Sequence, residues 1–296
     1  VNDLAPTVCR RVVRYFSALE LGSAWMVIAA FNFALMGLFI KWGSKSFPTY
    51  ELLFYRTFVG LIFLTGIMLA RKKSIRTAYF KDHLMRGLAG YLSLNLFFYT
   101  IAYLPLGTAT TLNYTSSLFF SLLCVWRLKS RLTASQWLGV GGGLFGIVLL
   151  LQPSFTAGTG FAALLGLISG MLAGLAIFEV NQLGKKGEDS ARVVFWFFFT
   201  CTLINGVFII GTKGFTPVSW QTVSPLLLIG LTGLLGQLTM TQAYQKGQAF
   251  LVSSLAYLTV VFSLLLGVIF LGDALGWLDI LAMLLIIACG VFSGRP

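Results

Sequence analysis

Apolar residues in this chain come in long runs broken by short polar stretches. Ten runs stand out: 22–42, 48–70, 84–103, 105–127, 133–152, 160–183, 191–211, 224–244, 248–271 and 275–293. A bilayer core takes about 20 residues of helix to cross, so each run predicts one membrane-spanning helix. None alternates apolar with polar residues as a barrel strand would, and a lipid-exposed segment must pair its own backbone groups. The interrupters suit these limits. Pro48 opens the second run, Pro105 with Gly107 divides the third from the fourth, and Pro153 with Gly158 closes the fifth.

The runs repeat. Shifted by 143 positions, Thr100–Gly139 meets Ala243–Ala282 without a gap, so that Thr110 and Thr111 fall on Ser253 and Ser254 and Tyr114 falls on Tyr257. Phe119 meets Phe262, Val125 meets Val268 and Leu132 meets Leu275. A hydroxyl-rich helix start, an apolar run, a turn and a second apolar helix therefore occur twice. The predicted fold is an all-α integral membrane protein of ten transmembrane helices in two five-helix repeats. Its expected divisions are a cytoplasmic segment 1–21, a first repeat 22–153 and a second repeat 154–296. Five is odd, so the second repeat enters the membrane inverted, the arrangement that gives many secondary transporters two exchangeable states around one site.

Charge sets the orientation. With the N-terminus inside, seventeen of the twenty-one basic residues fall in cytoplasmic segments, against Lys41, Lys45 and Lys213 outside and Arg56 within a helix. Arg86 is among the seventeen, placed in the second connection with Arg71, Lys72, Lys73, Arg76 and Lys81. The positive-inside rule then puts both termini in the cytoplasm of a bacterial inner membrane. The net charge of +12 is thus a topology signal, and no nucleic-acid partner is expected.

Composition agrees: 57% of residues are hydrophobic and 10% charged, far from a soluble average near a quarter charged. Residues 1–21 have no apolar core, so no cleavable leader is expected within them. Cys9, Cys124, Cys201 and Cys289 are scattered and His83 is the single histidine, which predicts neither a metal site nor a disulfide framework. No P-loop pattern and no catalytic constellation is present, so neither an enzyme, nor ATP-driven transport, nor a cofactor is expected.

The segments PLGTATTLNYTSSLF (Pro105–Phe119), SLAYLTVVF (Ser254–Phe262) and LGDAL (Leu271–Leu275), with the glycine-rich helix of Gly139–Pro153, resemble the repeat of EamA-type proteins of the drug/metabolite transporter superfamily. The resemblance implies a ten-helix inverted-repeat transporter, most of whose relatives export amino acids, other small metabolites or drugs. The chain departs from that pattern at Ser117 and Val260, where proline is usual, at Ser130 and Asp273, where glutamate is usual, and near Ala282, where glycine is usual. The expected function is alternating-access transport of small polar metabolites, amino acids or related compounds, with export expected over import. The alternative is a lipid flippase or a multidrug or nucleoside exporter of the same fold. The expected partners are a small-molecule substrate and the bilayer, in a monomer or homodimer.

Candidate pathway residues follow from polarity in lipid, where each ionisable group is costly. Thr110, Asn113, Ser117 and Ser121 share one face of the fourth helix, flanked by Tyr114, and Ser253 and Tyr257 repeat part of it. That face either walls a cavity or packs helices through small hydroxyl residues. Arg56 lies eight residues past Pro48, ready either for a substrate carboxylate or for backbone carbonyls. Glu179 either pairs with Lys185 and Lys186 at the interface or acts as a proton-responsive gate, which would couple transport to protons. Asn32, Asn95, Tyr99, Gln237 and Gln242 complete the set, each an interhelical bond or a pocket group.

Overall fold

The computed structural model describes residues 21–104, 106–129, 131, 133–153, 158–212, 214–272 and 276–292. The N-terminal segment expected to be cytoplasmic lies outside these apart from Leu21, as do Pro105, Ser130 and Asp273. Among the described residues twelve α-helices follow one another, with no strand. They are α1 (Leu21–Gly43), α2 (Thr49–Ala70), α3 (Phe80–Tyr103), α4 (Leu106–Tyr114), α5 (Ser116–Leu128) and α6 (Ala134–Leu151). Then come α7 (Gly160–Lys185), α8 (Ser190–Thr212), α9 (Trp220–Lys246), α10 (Ala249–Leu255), α11 (Leu258–Leu271) and α12 (Trp277–Phe292).

Among the described residues seven segments are long and apolar enough to cross a membrane: α1, α2, α6, α7, α8, α9 and the combined stretch Ala249–Leu271. The helix α12 is apolar but shorter. At 1.5 Å per residue the 22 residues of α2 reach about 33 Å, matching a hydrocarbon core. Local chemistry sets the ends. Pro48, at φ −66°, precedes α2; Thr133 and Gln136 form a capping box at the start of α6; and Gly272, at φ +72°, stops α11 in the left-handed region that glycine tolerates.

Two expected runs are each broken in two. In the fourth, the Thr115 amide donates to the Leu112 carbonyl three residues back, and the Thr115 hydroxyl donates to the same oxygen at 2.5 Å. In the ninth, the Tyr257 amide reaches Ser254, and the Thr259 and Val260 amides likewise bond three residues back, to Ala256 and Tyr257. Both turns tighten into 3₁₀ geometry. The breaks fall at matched places in the repeat, α4 ending on Tyr114 and α10 two residues before its counterpart Tyr257. Neither needs proline at Ser117 or Val260, because a hydroxyl or a tightened turn takes up the displaced backbone group.

Packing exchanges the halves. The two most extensive helix pairs are α1 with α9 and α3 with α7, which the repeat maps onto each other. Similarly α1 packs on α11 as α7 packs on α5, while α6 pairs with its own counterpart α12. The result is two mixed bundles, one of α1, α9, α10 and α11 and one of α3, α4, α5 and α7, flanked by α2 and α8. The correspondence fails in several places: α8 packs on α9 and α6 on α10 without comparable contacts between α2 and α3 or α12 and α4 among the described residues, and the largest departure lies between the bundles. The helix α7 packs on α9, but α1 and α3, which the repeat equates with them, share no comparable contact among the described residues.

Gly170 of α7 shows how closely the second bundle is built. A Cβ there would meet the Thr115 Oγ and would stand 2.5 Å from the Leu112 carbonyl oxygen, so α7 lies directly on the break between α4 and α5.

Candidate functional site

The two breaks meet at the centre. The Ser117 hydroxyl donates to the Ser253 carbonyl at 3.1 Å, and the Ser253 hydroxyl donates back to the Ser117 carbonyl at 3.4 Å. The Ser253 carbonyl is available because the Tyr257 amide, its ordinary partner four residues on, has turned to Ser254. The repeat-related Tyr114 and Tyr257 pack edge to face with ring centroids 6.0 Å apart. Tyr257 is fully buried, lies against Gly143 and donates its hydroxyl to the Val140 carbonyl at 3.2 Å. Asn113 donates to the Ser169 hydroxyl at 2.8 Å, and Ser169 in turn donates to the Ser93 carbonyl at 2.9 Å. These groups bond one another, so the hydroxyl stripe ties helices together at the crossing point.

Elsewhere between the helices lie polar side chains with buried nitrogens that have no partner among the described residues. Arg56 of α2 is 7% exposed and Arg86 of α3 is 4% exposed, and the Nε of each is buried without an acceptor. Arg56 stands over the Phe33 ring at 6.0 Å and Arg86 over the Phe197 ring at 3.9 Å. The two guanidiniums are near enough to feel each other's charge, and both are near Cys201. Gly233 of α9 makes room for Arg56, whose Cγ would lie 3.1 Å from a Cβ at that position. One turn on, Gln237 is 3% exposed with an unpartnered Nε2. Arg86 is therefore no loop residue. The helix α3 starts at Phe80 rather than near 84 and carries Asp82, His83 and Arg86 inside its first two turns.

One end of the molecule, the basic face, carries the connections 71–79 and 186–189 and Lys246. Here the bundles close on each other. Asn181 of α7 donates to the Tyr244 carbonyl of α9 at 2.7 Å, and a Cβ on Gly184 would stand 2.5 Å from Cγ of Gln245. The Ser190 hydroxyl reaches Gln245 Oε1 at 2.5 Å. Next to this closure a cavity of about 260 Å³ is lined by residues that include Arg71, Lys73, Asp189, Gln242, Gln245 and Lys246.

A charge network braces the same face. Buried Glu188 accepts from Arg192 Nη1 at 2.7 Å and from the Thr77 hydroxyl at 2.6 Å, with His83 Nε2 at 3.8 Å, too far for a hydrogen bond. Lys73 pairs with Asp189 and Lys186 with Asp82, each at 2.5 Å and half-exposed. Glu188→Gln strands Arg192 beside a buried site and is expected to cost about 3 kcal/mol. Lys73→Gln, at a solvated pair, is expected to cost under about 1 kcal/mol. Thermal unfolding in detergent checks the contrast.

The pH dependence has a sign. Burial holds His83 below its ordinary 6.5, against the pull of Glu188 and with the help of Arg192. Burial alone would raise Asp189, but its bonds to Lys73 and to the Ala191 amide bring it below its ordinary 3.8. Both groups bind protons more readily once unfolded, so stability present above pH 6.5 is lost as pH falls, through His83 first and Asp189 later. Melting temperature is expected to drop between pH 7 and pH 5, and His83→Gln is expected to flatten that drop.

The other candidates are dispersed. Asn32 and Asn95 donate to carbonyls of their own helices, Ile28 at 2.8 Å and Tyr91 at 2.9 Å. Tyr99 is 40% exposed beside Tyr103, on the helix α3 that α1 leaves uncovered. Thr110 is half-buried on α4. Glu179 is half-buried on α7 and has no ion pair among the described residues, Lys186 being committed to Asp82. Arg86, Asn181, Tyr244 and Gln245 were not among the expected pathway residues. Their signal was weak, since Arg86 sits at the charged start of an apolar run and the others lie close to basic connections.

The sequence profile of the EamA-like transporter family matches residues 20–152 and again residues 160–293. The chain is 26% identical over 276 residues to the pseudopaline exporter CntI of Pseudomonas aeruginosa, covering 93% of this chain and 96% of that one. It is 28% identical over 284 residues to a riboflavin transporter of Rhizobium johnstonii, covering 94% and 92%. It is 20% identical over 250 residues to an S-adenosylmethionine uptake transporter of Rickettsia bellii, covering 82% and 83%. A solved crystal structure superposes with a TM-score of 0.82 over 93% of this chain and 98% of that one at 18% identity, which shows the fold.

Proposed function

Because this chain belongs to the EamA-like transporter family, we propose that it is a secondary transporter that exports small polar metabolites, amino acids or related compounds, by alternating access. The chain is a multi-pass membrane protein and a small-molecule transporter, not an enzyme. In this reading α4–α5 and α10–α11 are single broken crossings, and α3 and α12 cross as well. Each half then crosses five times, and the second is inverted. The basic face is the cytoplasmic side of a bacterial inner membrane, with both termini there.

The observation that carries the reading is the unequal packing of two equivalent helix pairs. The α7–α9 contact closes the basic face, while its counterpart α1–α3 makes no comparable contact among the described residues. Exchanging one contact for the other, with the bundles pivoting about the crossed breaks, opens the basic face and closes the opposite one. The two states differ by contacts the repeat makes nearly equivalent, so a solute with modest preference can shift them. Asn95 and Tyr99 on α3 and Asn32 on α1 then line the open cleft. Counterflow into proteoliposomes tests this with amino acids, organic acids, nucleosides and flavins as labelled solutes. At least one is expected to accumulate transiently against unlabelled solute inside; accumulation no greater than in protein-free liposomes for all of them refutes it.

A further inference from the structure

We infer that Arg56, Arg86 and Gln237 form a binding site for an oxyanion, a carboxylate or phosphate group carried by a small soluble solute. All three side chains are more than nine-tenths buried, and each has a buried nitrogen without a partner. Among the described residues neither guanidinium donates a hydrogen bond and no carboxylate pairs with either. A guanidinium keeps its charge and offers five donors and no acceptor. Two such charges in a membrane interior are costly unless something answers them. The faces of Phe33 and Phe197 meet part of that cost but leave the in-plane N–H groups unused. The Gln237 amide adds a third donor. The unanswered atoms, two guanidinium Nε and one amide Nε2, are all donors, which fits an acceptor-only group.

The residues come from both bundles. Arg56 packs on α1 and α9, which Phe33 and Gly233 represent, while Arg86 belongs to α3. Without an anion the two like charges oppose any approach of the bundles. An oxyanion between them reverses that sign, so binding favours closure and the site selects the solute by charge.

The test uses purified protein in detergent, at constant chloride, with glutamate, succinate and glucose 6-phosphate set against lysine, succinamide and glucose. At least one oxyanion is expected to raise the melting temperature through mass action, and Arg56→Gln and Arg86→Gln are each expected to abolish the shift. No shift from any oxyanion, or a shift unchanged in both variants, overturns the site. If those variants fail to fold, Gln237→Leu keeps both charges and is expected to weaken apparent affinity several-fold; unchanged affinity counts against the site. The inference rests on the transport reading only for its flux arm, and the two can fail separately. Counterflow confined to neutral or cationic solutes leaves a transporter without this anion site. Arginine-dependent stabilisation with no flux of any solute leaves the site without a transporter.

Discussion

Joining α9 at the basic face to Ser190, which opens α8 directly after the connection 186–189 from α7, is expected to reduce transport to background. The pair for this is Ser190→Cys with Gln245→Cys, because the two native side chains touch at 2.5 Å across the closure. The background should carry Cys9→Ser and Cys289→Ser, since Cys124 and Cys201 are buried. A short bifunctional thiol reagent then fixes the contact whose release opens that face. Flux is expected to fall to the protein-free level and to return when a cleavable form of the reagent is reduced. Solute binding in detergent is expected to persist, because the joined residues lie away from Arg56 and Gln237. Flux that survives complete cross-linking contradicts the assignment of this contact as a gate. The size of the effect follows from alternation itself, since a carrier held in one state turns over no solute, however well it binds.

Gly170→Leu is expected to yield little folded protein. The Cβ alone would lie 2.5 Å from a backbone oxygen, Leu112 O, and against the Thr115 hydroxyl. Neither can retreat, because both take part in the bond that shapes the break. Gly174, one turn on, is tight but less so, with Ser116 O and Phe120 N both 2.9 Å from its Cβ position. Even Gly170→Ala is expected to cost about 1–3 kcal/mol through overpacking. Gly141→Ala is the control, having nothing within 4 Å of its Cβ position. Size-exclusion profiles and melting curves separate the two. A monodisperse Gly170→Leu protein with an unchanged melting temperature would show that α7 does not sit against the break.

The difference between these glycines is not written in the sequence, where Gly141 and Gly170 both lie in long apolar runs. Hydropathy alone located the helices, because lipid imposes length and polarity on every crossing; among the described residues each run lies largely on helix, the fourth and ninth on two helices apiece. What it missed were features decided by neighbours. Thr115 and Ala256–Tyr257 interrupt no apolar run, and the proline that would mark such a break is absent, so the turns show only in the hydrogen bonds. Arg86 read as a loop charge because α3 begins one turn earlier than its apolar residues do. Asp82, in that polar first turn, is held by Lys186 from the other half of the chain. The internal echo at 143 residues carried more. It pointed to Tyr114 and Tyr257 as partners in kind, and their rings meet at the centre. It could not say that Asn32 and Asn95 would turn to carbonyls of their own helices, since a local bond leaves no trace at long range.

The reciprocal exchange of α7–α9 for α1–α3 is the core of this account, and spin-label distances test it directly. Labels at Lys185 and Lys246 report the basic face, and labels at Trp42 and Tyr103, both exposed, report the ends of α1 and α3. In nanodiscs, a solute that counterflow identifies is expected to lengthen one distance in the same fraction of molecules in which it shortens the other. Cross-linking residues 190 and 245 is expected to hold the first distance short and the second long. Two distances that lengthen together, or that never change with solute, contradict alternating access in this protein.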